Sequence, residues 1–210
     1  MSLLLNVPYA EKDEAKALGA KWNPELKKWY AVNRKDYYKF KKWILNGRDE
    51  IYILCDCFYI IEGIHTCFKC GSKTKVIGFG VKSYFEVYDE DDTLEYVNDE
   101  IHIVSHINPL DEKLLSKLEE RYGYRSSYSK TVGASYISNH CSNCKMKQGD
   151  FFLFSEVDSP YWIDSVDKAK QLTLYKVPLE YDIAVEIDMG WGSNDWMIEE
   201  YAKHLAFEWA

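Results

Sequence analysis

Apolar and polar positions follow one rhythm up to about residue 48 and another beyond it. Leu3-Leu4-Leu5-Asn6-Val7 reads as a short strand stopped by Pro8. Glu11 to Leu18 reads as a helix with Ala15 and Leu18 on one face, and Gly19 stands where a left-handed cap would close it. Asn23-Pro24 marks a turn. Trp29-Tyr30-Ala31-Val32 is a second strand able to pair with the first. From Asp36 to Asn46 the apolar residues Tyr37, Phe40 and Ile44 repeat at helical spacing, and Gly47 ends the run. These pieces predict a compact ββαα-type unit over residues 1–48.

Beyond Asp49-Glu50 the rhythm favours strands. Ile51 to Ile61 reads as one strand, rich in Ile, Tyr, Phe and Cys. Lys75 to Val81 and Tyr84 to Tyr88 read as two more, with Asp89 to Asp92 a charged turn, Leu94 to Val97 the return of a hairpin and Ile101 to Val104 a further strand. Asp111 to Tyr122 is the clearest helix: Leu114, Leu115 and Leu118 face one side and Gly123 ends it. Residues 124–135 read as a Ser/Gly-rich loop, Phe151 to Phe154 as a strand and Asp164 to Gln171 as a short helix. Leu172 to Ile187 holds two strands broken at Pro178. Gly190-Trp191-Gly192 is a turn, and Ser193 is placed to cap a last helix with Ile198, Ala202, Leu205 and Trp209 on one face. The prediction is an α+β protein: a small basic domain, 1–48, and a mostly antiparallel sheet domain, 49–210.

Composition sharpens this division. Residues 1–48 carry 11 basic against 5 acidic side chains, a net +6, while residues 49–210 carry 15 against 29, a net −14. A basic head on an acidic body implies different partners for each. The acidic body argues against nucleic acid wrapped over the whole surface, because phosphates repel it, whereas the basic head leaves a local contact open. An apolar fraction of 47% supports a true core. No stretch approaches the roughly 20 apolar residues of a membrane span, and no leader pattern opens the chain. The cytoplasm is therefore the expected location, with thiols kept reduced.

In that compartment the cysteines carry the strongest chemistry. Cys67-Phe68-Lys69-Cys70-Gly71 and Cys141-Ser142-Asn143-Cys144-Lys145 are two Cys-x-x-Cys knuckles with 70 residues between them. Four thiolates in a tetrahedron are the usual structural ligands of zinc, and Gly71 lets the chain leave the first knuckle with positive φ. The expected ligands are Cys67, Cys70, Cys141 and Cys144, in a zinc-ribbon-like site whose binding energy becomes folding energy. Two rival readings weigh less: buried cysteines without metal, and redox chemistry, for which neither knuckle has the βαβ setting. Cys55 and Cys57, two apart in an apolar strand, would share one face. They read as ordinary thiols, the alternative being a four-Cys site with Cys67 and Cys70 alone.

The run Leu5 to Asn23, with its Val-Pro-Tyr and Ala-Leu-Gly-Ala-Lys-Trp pieces, continues to Lys28-Trp29-Tyr30. It closely resembles a small bacterial domain of unknown function that accompanies plasmid-type DNA primases and other mobile-element proteins. The resemblance covers about the first fifth of the chain and implies a setting in DNA metabolism. The remainder is similar to uncharacterised zinc-ribbon-like bacterial and phage proteins, on Cys67 to Gly71 and Asn139 to Phe152, which implies no activity.

The head carries Lys21, Lys27, Lys28, Arg34, Lys35, Lys39 and Lys42, with Lys41 beside them, as candidate phosphate contacts. Trp22, Trp29, Tyr30 and Tyr38 are able to stack on bases, although in so small a unit Trp22 and Trp29 read first as core. No P-loop, dinucleotide fingerprint or nucleophile elbow is present. The histidines show no metal-helix spacing, and no nucleophile–base pair is visible. The expected function is a non-enzymatic, zinc-binding accessory protein of bacterial or mobile-element DNA biology whose head contacts nucleic acid. The alternative is a protein-interaction module in which the acidic, aromatic-rich body docks a partner.

Overall fold

The computed structural model describes residues 1–90, 93–130, 133–190, 192 and 194–208. The described elements are β1 (Leu3–Leu5), α1 (Lys12–Ala17), β2 (Lys21–Asn23), β3 (Lys28–Ala31), α2 (Lys41–Leu45), β4 (Glu50–Leu54), β5 (Cys57–Thr66), β6 (Lys73–Tyr88), β7 (Glu95–Val104), β8 (Ile107–Asn108), α3 (Glu112–Tyr122), β9 (Arg125–Ser129), β10 (Ala134–His140), β11 (Lys147–Gln148), α4 (Val166–Ala169), β12 (Thr173–Pro178), β13 (Ile183–Ile187), α5 (Trp196–Tyr201) and β14 (Lys203–Ala206). Helices and mostly antiparallel sheets make this an α+β protein.

The chain forms two compact units, each built from several stretches: residues 1–58, 81–99 and 177–187 in one, and 59–80, 100–176 and 188–210 in the other. In the first, β3 lies between β1 and β2, with Leu5 opposite Trp29 and Trp22 opposite Trp29 in the two antiparallel registers. Asn23 turns the β2–β3 hairpin by accepting the Glu25 and Leu26 amides on Oδ1, both at 3.0 Å. A 3-10 turn over Arg34–Phe40 leads into α2, so the predicted Asp36–Asn46 helix is only half α-helical. Tyr37, Phe40, Trp43 and Ile44 are buried with Leu3, Leu5, Ile51, Ile53 and Val87. Gly19 has φ +100° after α1, as a cap requires. Leu18, expected beside Ala15, is 39% exposed, because α1 ends at Ala17 and the chain turns away.

The predicted Ile51–Ile61 strand is in fact two. Asp56 adopts φ +64° between β4 and β5, and Cys57 N–H bonds back to the Cys55 carbonyl at 2.6 Å. An Asp tolerates that left-handed conformation better than the flanking residues would. Cys55 and Cys57 therefore do not share a strand face: Cys55 is buried and Cys57 partly exposed. In this unit β4 pairs with β13 and with the second half of β6.

In the second unit β5 pairs with the first half of β6 from Tyr59↔Gly80 to Thr66↔Lys73, and β12 runs parallel to β14. Asp111 caps α3 by accepting the Lys113 and Leu114 amides, and Gly123 closes it at φ +69°. Three readings change here. Residues 124–135 are not a loop throughout, since Arg125–Ser129 is strand β9, paired with β10; cross-strand pairing overrides the low strand preference of serine. Phe151–Ser155 is a wide helical turn and not a strand. It buries Leu153 and lays Phe154 over Gly78, where an added Cβ would stand 2.9 Å from the ring. The last helix, α5, stops at Tyr201: Ala202 turns extended, and Leu205 lies in β14, 38% exposed. Ser193 and Trp209, assigned to that helix, and Asp91, Asp92 and Trp191, assigned to turns, lie outside the described residues. No described helix is long and apolar enough to cross a membrane.

Candidate metal centre and candidate nucleic-acid contacts

The loop between β5 and β6 is the first knuckle, and the loop between β10 and β11 is the second. They share one backbone design. Gly71 N–H bonds to the Cys67 carbonyl at 2.8 Å and Lys145 N–H to the Cys141 carbonyl at 3.0 Å. The residue after each second cysteine is left-handed, at φ +68° for Gly71 and +59° for Lys145. Sequence reading found this role for Gly71 only; Lys145 fills it with a side chain, whose Nζ caps the Ser142 carbonyl at 2.6 Å.

Polar bridges join the knuckles. Ser142 N–H donates to Thr74 Oγ1 at 2.9 Å, and Asn143 Nδ2 donates to Ser72 Oγ at 3.1 Å. The result brings the Sγ atoms of Cys67, Cys70, Cys141 and Cys144 within 4.8 Å of one another, a group that can hold a metal ion. Cys67 to Cys144 and Cys70 to Cys141 are each 3.7 Å apart, too far for disulfides. Cys55 and Cys57 are not part of this group.

The surroundings favour thiolate at the first knuckle. The amide and hydroxyl of Ser72 pull Cys70 down to about 6. Desolvation pushes Cys67 up, but the amides of Cys70 and Lys69 outweigh it and leave the thiol below its usual value. Cys144, drawn down by the Met146 amide, is carried the other way by desolvation and neighbouring sulfurs, to about 11. Buried Gln148, which sequence reading did not single out, brings Nε2 within 3.5 Å of Cys67 Sγ.

The candidate phosphate contacts of the first unit differ in how far they are engaged. Lys21, Lys27 and Lys28 are exposed on the β2–β3 hairpin, as is Trp22, and Lys28 Nζ donates to Asn6 Oδ1 at 3.1 Å. Trp22 is 48% exposed, against the core expected of it, and meets the half-buried Trp29 edge-on at 5.6 Å. It lies on an outer strand of a three-stranded sheet too small to cover both faces. Arg34, Lys39 and Lys42 are engaged. Arg34 bonds Asp182 at 2.7 and 2.8 Å and Asp56 at 2.8 and 3.2 Å, in a network that includes the Tyr37 hydroxyl. Lys39 pairs with Asp36, and Lys42 with Glu11 and Glu14. Lys35 is exposed.

Residues 3–44 match a domain of unknown function, DUF5710. Two Escherichia coli proteins, each named DNA primase TraC, are similar to the same region. One is 51% identical over 39 residues, 19% of this chain and 3% of the primase. The other is 49% identical over 43 residues, 20% of this chain and 4% of the primase. The chain thus carries an N-terminal DUF5710 domain, and the alignments span only a small fraction of the length of these primases. No solved structure matches the chain.

Proposed function

We propose that this protein is a non-enzymatic accessory protein of bacterial or mobile-element DNA biology. In this reading the DUF5710 domain touches nucleic acid, and a structural zinc ion braces the second unit. The observation that carries the first part is the exposed Trp22 on a hairpin that also exposes Lys21, Lys27 and Lys28, within the stretch shared with DNA primases. An exposed aromatic ring on a basic hairpin suits an unpaired base and its phosphates. Of the remaining candidates, Lys35 adds charge, while Arg34, Lys39 and Lys42 contribute mainly through the carboxylates they hold.

Zinc is supported by the donor set and its spacing. Zinc–sulfur bonds of about 2.3 Å in a tetrahedron put sulfurs about 3.8 Å apart, next to the 3.7 Å of both close pairs here. Four thiolates leave no open coordination position, so the metal's role is structural. The test is fluorescence anisotropy of labelled single- and double-stranded DNA and RNA with the full, zinc-loaded chain at low and moderate salt. Binding that weakens with salt and is reduced in a Lys21→Glu/Lys27→Glu/Lys28→Glu variant supports the reading. Binding unchanged in that variant overturns the head as the contact.

A further inference from the structure

The second unit belongs to the acidic part of the sequence, yet the cleft beside its cysteine knuckles is basic. This cleft, of about 870 Å³, is bordered by Lys73, Lys75, Arg121, Arg125 and Lys145, with Glu119 and Glu120 the carboxylates on its wall. Some of these cations are already used. Lys75 pairs with Glu62 at 2.7 Å, and Arg121 lies over the Tyr175 ring at 5.0 Å. Lys73 and Arg125 form no ion pair among the described residues. Five cations against two carboxylates on the wall, in a chain rich in carboxylates, mark a place for an external anion.

A second observation stands on the first knuckle. Phe68 is 65% exposed and Phe152 43% exposed, and their rings stack at 6.0 Å and 29°. Phe151, 63% exposed, meets Phe152 edge-on at 5.6 Å. Phe68 sits between Cys67 and Cys70, whose sulfurs lie within 4.8 Å of that of Cys141, a residue on the cleft wall. Aromatic platform and basic cleft are therefore on adjoining knuckles. Three exposed phenylalanines and a basic cleft, linked through one cluster of sulfurs, fit a chain of alternating flat apolar bases and anionic phosphates.

We propose that the knuckle face of the second unit is itself a binding site for single-stranded nucleic acid, with phosphates against Lys73 and Arg125 and a base on Phe68 and Phe152. The site is made of second-unit residues alone and does not depend on the DUF5710 hairpin. The metal would fix the spacing of the platform and the cations, since each knuckle supplies part of the face.

The test uses the full, zinc-loaded chain and a labelled single-stranded oligonucleotide, with a Lys73→Glu/Arg125→Glu variant, a Phe68→Ala/Phe152→Ala variant and the hairpin triple variant in parallel. Zinc content and melting temperature confirm that each variant is folded. The charge variant is expected to lower the slope of log affinity against log salt by about 1.4, two single-strand phosphate contacts. The aromatic variant is expected to weaken single-strand binding roughly tenfold and to leave the slope unchanged. Both effects should persist when the hairpin is altered. Unchanged affinity and slope in the folded charge variant would overturn the site even if the hairpin variant loses binding. Equal binding of duplex and single strand, with the aromatic variant silent, would overturn the stacking assignment. A wild-type chain that binds no oligonucleotide at low salt would overturn this site and the hairpin contact together.

Discussion

The side-chain amide of Asn139 lies along the backbone of Ile77, accepting its N–H and donating to its carbonyl, each at 2.8 Å. Asn139 is 1% exposed and stands two residues before Cys141 on β10, while Ile77 lies on β6, the strand that leaves the first knuckle. One carboxamide thus imitates a strand neighbour and sets where the second knuckle meets the first. Asn139→Leu removes both partners from buried backbone groups, each worth about 1–3 kcal/mol when left unpaired. Urea denaturation of the zinc-loaded chain is expected to show a loss of about 2–4 kcal/mol. A loss below about 0.5 kcal/mol would mean water replaces the amide.

Metal content gives the next prediction. The purified chain is expected to hold one zinc per molecule by elemental analysis, since the four clustered thiols form a single group. Cys67→Ser and Cys141→Ser should each lose it, and chelation should lower the melting temperature, because binding energy at such sites is folding energy. Cys55→Ser should keep full zinc, its thiol being buried in the other unit where desolvation holds it protonated. Zinc retained after Cys141→Ser would contradict the four-ligand assignment.

The left-handed residues after the two knuckles predict opposite effects of glycine exchange. Lys145 adopts φ +59° with a side chain, and Gly71 adopts +68° without one. Lys145→Gly should gain about 0.5–1 kcal/mol from relief of strain, less the value of its cap on Ser142, and Gly71→Ala should lose about 1–2 kcal/mol. Thermal melts of the zinc-loaded variants would show both; a loss in each would mean the Lys145 cap outweighs its backbone strain.

Arg34 predicts a stability effect where the sequence suggested a binding one. Its partner Asp182 is fully buried and also accepts from Tyr37. Arg34→Ala leaves that carboxylate without its cation, at a cost of about 3–5 kcal/mol. Denaturant titration should show this directly. A stable Arg34→Ala chain with weakened oligonucleotide binding would return Arg34 to the phosphate contacts.

Asp150 sets a pH dependence. Burial and the charge of Asp188 raise its carboxyl above the usual value, against the pull of His106 and Lys147. A carboxyl raised on folding favours the folded state below its unfolded value near 3.9, and that contribution fades as pH rises through the folded value. Asp150→Asn should therefore stabilise the chain at pH 7 and have little effect near pH 4. Melting curves at the two pH values test this; equal effects at both would assign the change to packing.

Several elements could be read from local signals. The Leu3–Leu5 strand, the Gly19 cap and the Asp111 and Gly123 ends of α3 rest on side chains acting within a few residues. The same holds for the knuckles, because a Cys-x-x-Cys turn is closed by its own amides. Readings failed where a distant partner decided. Phe151 to Phe154 has strand-forming residues, yet Phe154 has its place over Gly78 and against Tyr161, at 4.6 Å, and the backbone coils to put it there. Arg125–Ser129 has little strand preference, yet β10 supplies its hydrogen bonds.

The sequence by itself determined the α+β class, the DUF5710 stretch and the four thiols, because apolar period, turn residues and ligand spacing are properties of neighbouring positions. Only the tertiary structure decided that Cys55 and Cys57 stand apart from those thiols, that Arg34 is bound to Asp182, and that Lys73, Arg125 and Lys145 border one cleft. Each of these joins residues far apart in the chain, and no local preference records which distant side chain will neutralise a charge or fill a gap. Burial and pairing settle that after the strands have found their registers.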